Sequence, residues 1–171
     1  MEKIGKISAI VISAIVVISG MATTAIAYDA NNPWTGTVRW SIPSDTSFTV
    51  TFAGTETQVN FTASSATQNL IEPDGQDAAN NTPIITIDNT GNTYLNFSCN
   101  LTSAKPSWAT IKVGHLSDHT SAKEFDTTPV LIDKEVWPGD SIPVFLWTNI
   151  TNADTGDTTR TLMITSEVYS G

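Results

Sequence analysis

Along most of the chain, apolar and polar side chains alternate in short runs. SFTVTFA (47–53) sets Phe48, Val50 and Phe52 against Ser47, Thr49 and Thr51, and TYLNFSC (93–99) sets Leu95, Phe97 and Cys99 against Asn96 and Ser98. A period of two places alternate residues on opposite faces of an extended backbone, which is the pattern of a half-buried strand. Similar runs rich in Val, Ile, Thr and aromatic residues predict strands at TVRWSI (37–42), TQVNFT (57–62), PIITID (83–88), ATIKV (109–113), PVLID (129–133), SIPVFLW (141–147) and RTLMITSEV (160–168). Turn-forming clusters separate them, among them Glu72-Pro-Asp-Gly75, Asn89-Thr-Gly-Asn92, Trp137-Pro-Gly-Asp140 and Asn152-Ala-Asp-Thr-Gly-Asp157. The weakly patterned segment 63–81 reads as an exposed loop.

No segment after residue 27 sustains helical periodicity. Eight or nine short strands broken by turns predict an all-β fold, a two-sheet β-sandwich with a closed barrel as the alternative. The expected core is Trp40, Phe52, Phe61, Leu95, Phe97, Val144, Leu146, Leu162 and Ile164.

The N-terminus differs. Lys3 and Lys6 precede an apolar run from Ile7 to about Gly20, and Ala25-Ile26-Ala27 closes it. That is the anatomy of a secretory signal peptide. The expected organisation is a signal helix at 1–27, a flexible mature N-terminus at 28–36 and one sandwich domain at 37–171. A retained N-terminal helix, serving as a membrane anchor or as the core of a pilin-type filament, is the alternative, and only that version attaches the chain to a membrane. SEVYSG at the far end brings neither a second apolar anchor nor a basic tail.

Cleavage after Ala27 removes Glu2, Lys3 and Lys6, so eight basic residues become six and seventeen acidic residues become sixteen, a net charge of −10. Such a surface repels a phosphate backbone, so nucleic acid is not an expected partner. A single cysteine, Cys99, leaves no intramolecular disulfide framework. It shares the apolar face of its run with Leu95 and Phe97, as a small buried hydrophobe would.

Five N-x-[Ser/Thr] triplets begin at Asn60, Asn80, Asn96, Asn100 and Asn149. In an exported chain each is a candidate N-glycan acceptor, and acceptors belong at the surface. Alternation sets Asn96 and Asn100 on the face opposite Cys99 and sets Asn60 opposite Val59 and Phe61. Pro83 directly after the Asn80 triplet counts against that site. Of five tryptophans, Trp40 and Trp147 fall in predicted strands. Trp34, Trp108 and Trp137 each adjoin a proline or a turn and are candidates for an exposed carbohydrate platform.

His115 and His119, in H-L-S-D-H, are too few for a metal site by themselves, since stable sites show four ligands. Asp154, Asp157, Asp74 and Asp77 offer oxygen atoms but not the alternating spacing of a calcium loop, so Ca²⁺ is left unassigned and no cofactor is expected. G-x-S-x-G, H-E-x-x-H, C-x-x-C and phosphate-cradling glycine loops do not occur, so no enzymatic activity is expected.

Two stretches, PIITIDNTGNTYLNFSCNLTS and WPGDSIPVFLWTNITNADTGDTTRTLMITS, resemble secreted archaeal and bacterial Ig-like surface domains. More loosely, the chain is similar to the TasA and camelysin-like sandwiches that polymerise into extracellular filaments by strand exchange. The resemblance implies an Ig-like, Greek-key form of the sandwich and a structural role, and it brings no catalytic residues. The expectation is a secreted or cell-surface structural or adhesive component that forms homo-oligomers or homopolymers by edge-strand addition. An extracellular carbohydrate-binding module is the alternative.

Overall fold

The computed structural model describes residues 39–171. The expected signal helix at 1–27, the mature N-terminus at 28–36 and the first two positions of the strand expected at 37–42 lie outside the described residues. Two compact units divide the chain, Met1–Pro43 and Ser44–Gly171. Arg39 to Pro43, in the first unit, form no strand.

The second unit is an all-β sandwich of two antiparallel sheets. Its strands are β1 (Phe48–Phe52), β2 (Gln68–Ile71), β3 (Ile85–Asn89), β4 (Leu95–Leu101), β5 (Ala109–Gly114), β6 (Lys123–Phe125), β7 (Val130–Val136), β8 (Ser141–Ile150) and β9 (Leu162–Val168). The larger sheet runs β1-β3-β8-β5-β6, with β2 paired to the far half of β8, and the smaller runs β7-β4-β9. β8 is the organising element of the larger sheet. Val144 to Ser141 pair with β3, Thr148 and Ile150 pair with β2 on the same edge, and Phe145 to Ile150 pair with β5 on the other.

Alternation puts the core between the sheets. Leu95, Phe97, Cys99 and Leu101 of β4 and Ile132 and Val136 of β7 meet Ile85, Ile87, Val113, Ile142, Val144 and Leu146 of the larger sheet. Full burial of such side chains contributes about 1.5–3 kcal/mol each, and this is the main force holding the two sheets together. The opposite parity of β8 is buried as well: Phe145 and Trp147 stack with ring centroids 6.0 Å apart on the outer face of the larger sheet.

Several expectations need correction. Trp40 is not a core residue; it is 78% exposed. Residues 57–62 form no strand, although Val59 and Phe61 still pack partly against the core. The segment 63–81 is not a plain loop. It holds β2, a short 3₁₀ turn at Ala78–Asn80 and the buried Ile71 and Pro73. β6 went unpredicted, because three residues are too few to show a period.

Candidate functional site

The five acceptor asparagines divide by what their amide nitrogen does. Asn96, on the outer face of β4, accepts from Glu135 N at 3.1 Å, and Asn149, on the outer face of β8, accepts from Leu70 N at 2.7 Å. Both donors have a positive φ, 57° at Glu135 and 53° at Leu70, and both lie in strands whose register shifts. In each case Oδ1 meets an N–H that the irregular ladder leaves over. Among the described residues Nδ2, the atom that carries an N-linked sugar, has no hydrogen-bond partner in either residue. Both side chains are half-buried, on opposite outer faces of the sandwich.

Asn60 Nδ2 likewise has no partner among the described residues, and its Oδ1 accepts from Gln58 Nε2 at 2.8 Å. In Asn80 the nitrogen is committed, donating to Asp77 Oδ2 at 2.7 Å. Asn100 departs from expectation. It is 6% exposed, and Nδ2 donates to the carbonyls of Leu101 at 3.0 Å and Thr127 at 3.4 Å. Parity alone placed it outward, but the segment around Thr127 covers it, and its buried Oδ1 has no partner among the described residues.

The tryptophan platform is not assembled. Trp34 lies outside the described residues. Trp137 precedes the first residue of β8 and Trp108 flanks the last, with Asp140 N bonded to Trp137 O and Thr151 N bonded to Trp108 O. The ten residues of β8 span about 30 Å, so the two rings stand at opposite ends of the sandwich. Trp108 is half-buried, while Trp137 is exposed and packs edge-to-face on Tyr94 at 5.2 Å.

His115 and His119 face different partners. His115 Nδ1 lies 3.1 Å from the Ile132 carbonyl, which requires Nδ1 to carry the proton, and the His119 ring packs on Trp147 at 6.5 Å. Among the described residues no three His, Cys, Asp or Glu side chains group as metal ligands. The turn acids are engaged locally. Asp77 Oδ2 accepts from Asn80 Nδ2 at 2.7 Å and Asp118 Oδ2 from Thr120 Oγ1 at 2.6 Å, and these side-chain bonds, followed by the backbone N–H bonds from the same two residues, hold both carboxyls below the usual range. Asp74 Oδ2 accepts from Thr62 Oγ1 at 3.2 Å, and Asp154 and Asp157 stand exposed.

Cys99 is 1% exposed on the inner face of β4, and burial pushes its thiol up to about 12. A thiol so shielded is neither a nucleophile nor a metal ligand at neutral pH. A depression of about 310 Å³ is lined by Lys105, Glu124, Phe125, Asp126, Thr128 and Val130. Its polar groups are the Lys105–Glu124 ion pair at 3.5 Å, the Asp126 carboxylate, whose Oδ1 accepts from Lys105 N at 2.9 Å, and Thr128.

What the fold does present is unequal sheet edges. β7 is defended in several ways. Its register shifts twice, Glu135 is left-handed, Lys134 and Glu135 are exposed, and Lys123 Nζ and His115 Nδ1 hold the carbonyls of Leu131 and Ile132. Charge, bulges and side-chain caps of this kind prevent another strand from adding. β9, the other edge of the same sheet, pairs with β4 without a shift from Leu162 to Val168 and contains no proline, lysine or arginine. The alternation of β9 was legible in sequence, but that β4 is its one strand neighbour among the described residues was not. Comparison with known proteins finds no matching family model, no matching curated protein and no matching solved structure.

Proposed function

We propose that the protein is an exported structural or adhesive component of a cell surface, sheath or filament, with an Ig-like sandwich that associates with further copies of itself by edge-strand addition. One observation carries the reading. TVRWSI has the period of a strand, yet its described part pairs with no strand among the described residues and exposes Trp40 at 78% and Ile42 at 81%. Large apolar side chains at alternating positions stay exposed at a cost that pairing would relieve. β-Addition supplies both the backbone partners and a surface for alternate side chains.

The test compares the chain starting at Tyr28 with one starting at Ser44, by light scattering and electron microscopy, with circular dichroism to check that both fold. The longer chain is expected to assemble and the shorter to remain monomeric. Equal assembly by both would refute strand addition from the N-terminal segment. The carbohydrate-binding reading keeps one supporting feature, the exposed Trp137 packed on Tyr94. Unchanged glycan retention by Trp137→Ala would remove it.

A further inference from the structure

We infer that the edge of β9 left free among the described residues accepts residues 37–42 of a second copy, which would form a fourth strand of the smaller sheet and cover the inner face of β1. The inference rests on the self-association proposed above and adds to it the acceptor edge and the donor face.

The ladder between β4 and β9 identifies the unused groups. Tyr169 N bonds Tyr94 O, and Thr102 N bonds Thr161 O, at the two ends of a continuous antiparallel register. Bonded pairs alternate along such a ladder, so the odd-numbered residues of β9 face β4. Leu162, Ile164, Ser166 and Val168 therefore turn both N–H and C=O to the free edge.

The side chains on that flank are incompletely covered. Phe48 packs edge-to-face on the buried Phe97 at 5.3 Å, which identifies the even positions of β1 as the inward ones. Val50 has the same parity but is 38% exposed, because the three strands of the smaller sheet do not extend over it. Leu162 and Ile164, on the inner face of β9, are only half-buried. Thr46, just ahead of β1, accepts from Ser166 Oγ at 3.2 Å, so the start of β1 and the edge of β9 lie on one side of the sandwich. A strand added beside β9 would cover Phe48, Val50 and Phe52. One added beside β1 would lengthen the larger sheet and leave Val50 open.

The donor matches in length and period. Val38, Trp40 and Ile42 alternate with Thr37, Arg39 and Ser41, and six residues span about 20 Å, the length of the free row from Leu162 to Val168. The apolar face would meet β1 and the polar face solvent.

Residue-level hydrogen exchange on the chain from Tyr28, as monomer and as assembly, tests this. The amides of Leu162, Ile164, Ser166 and Val168 are expected to slow by about tenfold or more on assembly, while those of Phe48, Val50 and Phe52 stay fast. Protection at β1 instead would overturn the β9 assignment and leave self-association standing. Protection of β9 already in the monomer would mean that the chain's own segment occupies the edge, which overturns the second copy as donor. No assembly at all would remove the underlying reading as well. Ser166→Pro, which deletes a donor on the free edge and none toward β4, is expected to abolish assembly while the monomer keeps its cooperative unfolding. Assembly that survives this change overturns the assignment. Trp40→Ser with Ile42→Ser, outside the sandwich, is expected to do the same from the donor side, and unimpaired assembly there would exclude 37–42.

Discussion

Gln76 stands in for a strand residue opposite Leu146. Its Nε2 donates to the Leu146 carbonyl and its Oε1 accepts from the Leu146 N–H, both at 2.9 Å. β3 ends its pairing at Val144 and β2 begins at Thr148, so the backbone of Leu146 faces a gap in the ladder. One carboxamide, with a donor and an acceptor side by side, fills it.

Gln76→Ala leaves a buried N–H and C=O unpaired, which costs about 1–3 kcal/mol. Gln76→Glu retains the acceptor, loses the donor and sets a carboxylate against the Leu146 carbonyl. Its stability deficit is expected to shrink as the pH falls and the carboxyl protonates into a donor. Urea unfolding of both variants at pH 7 and pH 4 checks this. A deficit in Gln76→Glu that does not depend on pH would contradict the pairing.

Asn89 and Gly91 tie the β3–β4 turn to its surroundings. Asn89 is 1% exposed, donates from Nδ2 to the carbonyls of Thr93 and Val136, each at 2.9 Å, and accepts from Gly91 N at 3.1 Å. A Cβ on Gly91 would sit 2.1 Å from the Asp45 carbonyl oxygen. Gly91→Ala must push the Asp45 backbone away and is expected to destabilise by about 1–3 kcal/mol, as overpacking does. Thermal unfolding measures it. An unchanged midpoint would mean the Asp45 segment yields freely.

Cys99 should resist alkylation until the domain unfolds. Raising its thiol from 9.0 to about 12 lowers the thiolate population near pH 8 by about three orders of magnitude, and burial excludes the reagent besides. Above the unfolded value the unfolded chain releases a proton that the folded chain keeps, so stability falls as pH rises from about 9 toward 12. Cys99→Ala should flatten that slope. Rapid labelling of the native protein would refute the burial.

Glycopeptide mapping of the protein from its source cells should find sugar among Asn60, Asn96 and Asn149, whose Nδ2 atoms are unengaged among the described residues, and none on Asn100. Sugar on Asn100 would require the bonds to Leu101 and Thr127 to break. Replacing Asn96 or Asn149 by Ala should also lower stability without any sugar present, by about 1 kcal/mol, because each side chain accepts from a bulge N–H. Protein from a host that does not glycosylate separates the two effects.

Sequence by itself determined the alternation of β1, β3, β4, β5, β7, β8 and β9, because the period of two is a local property of an extended chain with one buried face. It likewise placed Leu95, Phe97 and Cys99 inward together. Tertiary structure decided what parity cannot reach. Asn100 has outward parity and is buried by a neighbouring segment, while Trp40 has the pattern of a core strand and is exposed. Phe145 and Trp147 are buried on what periodicity reads as the solvent face of β8. Trp108 and Trp137 end a strand length apart because β8 runs between them. Most of all, the difference between β7 and β9 as edges depends on which strands find neighbours, and hydrogen bonds between segments distant in sequence leave no periodic trace in either one.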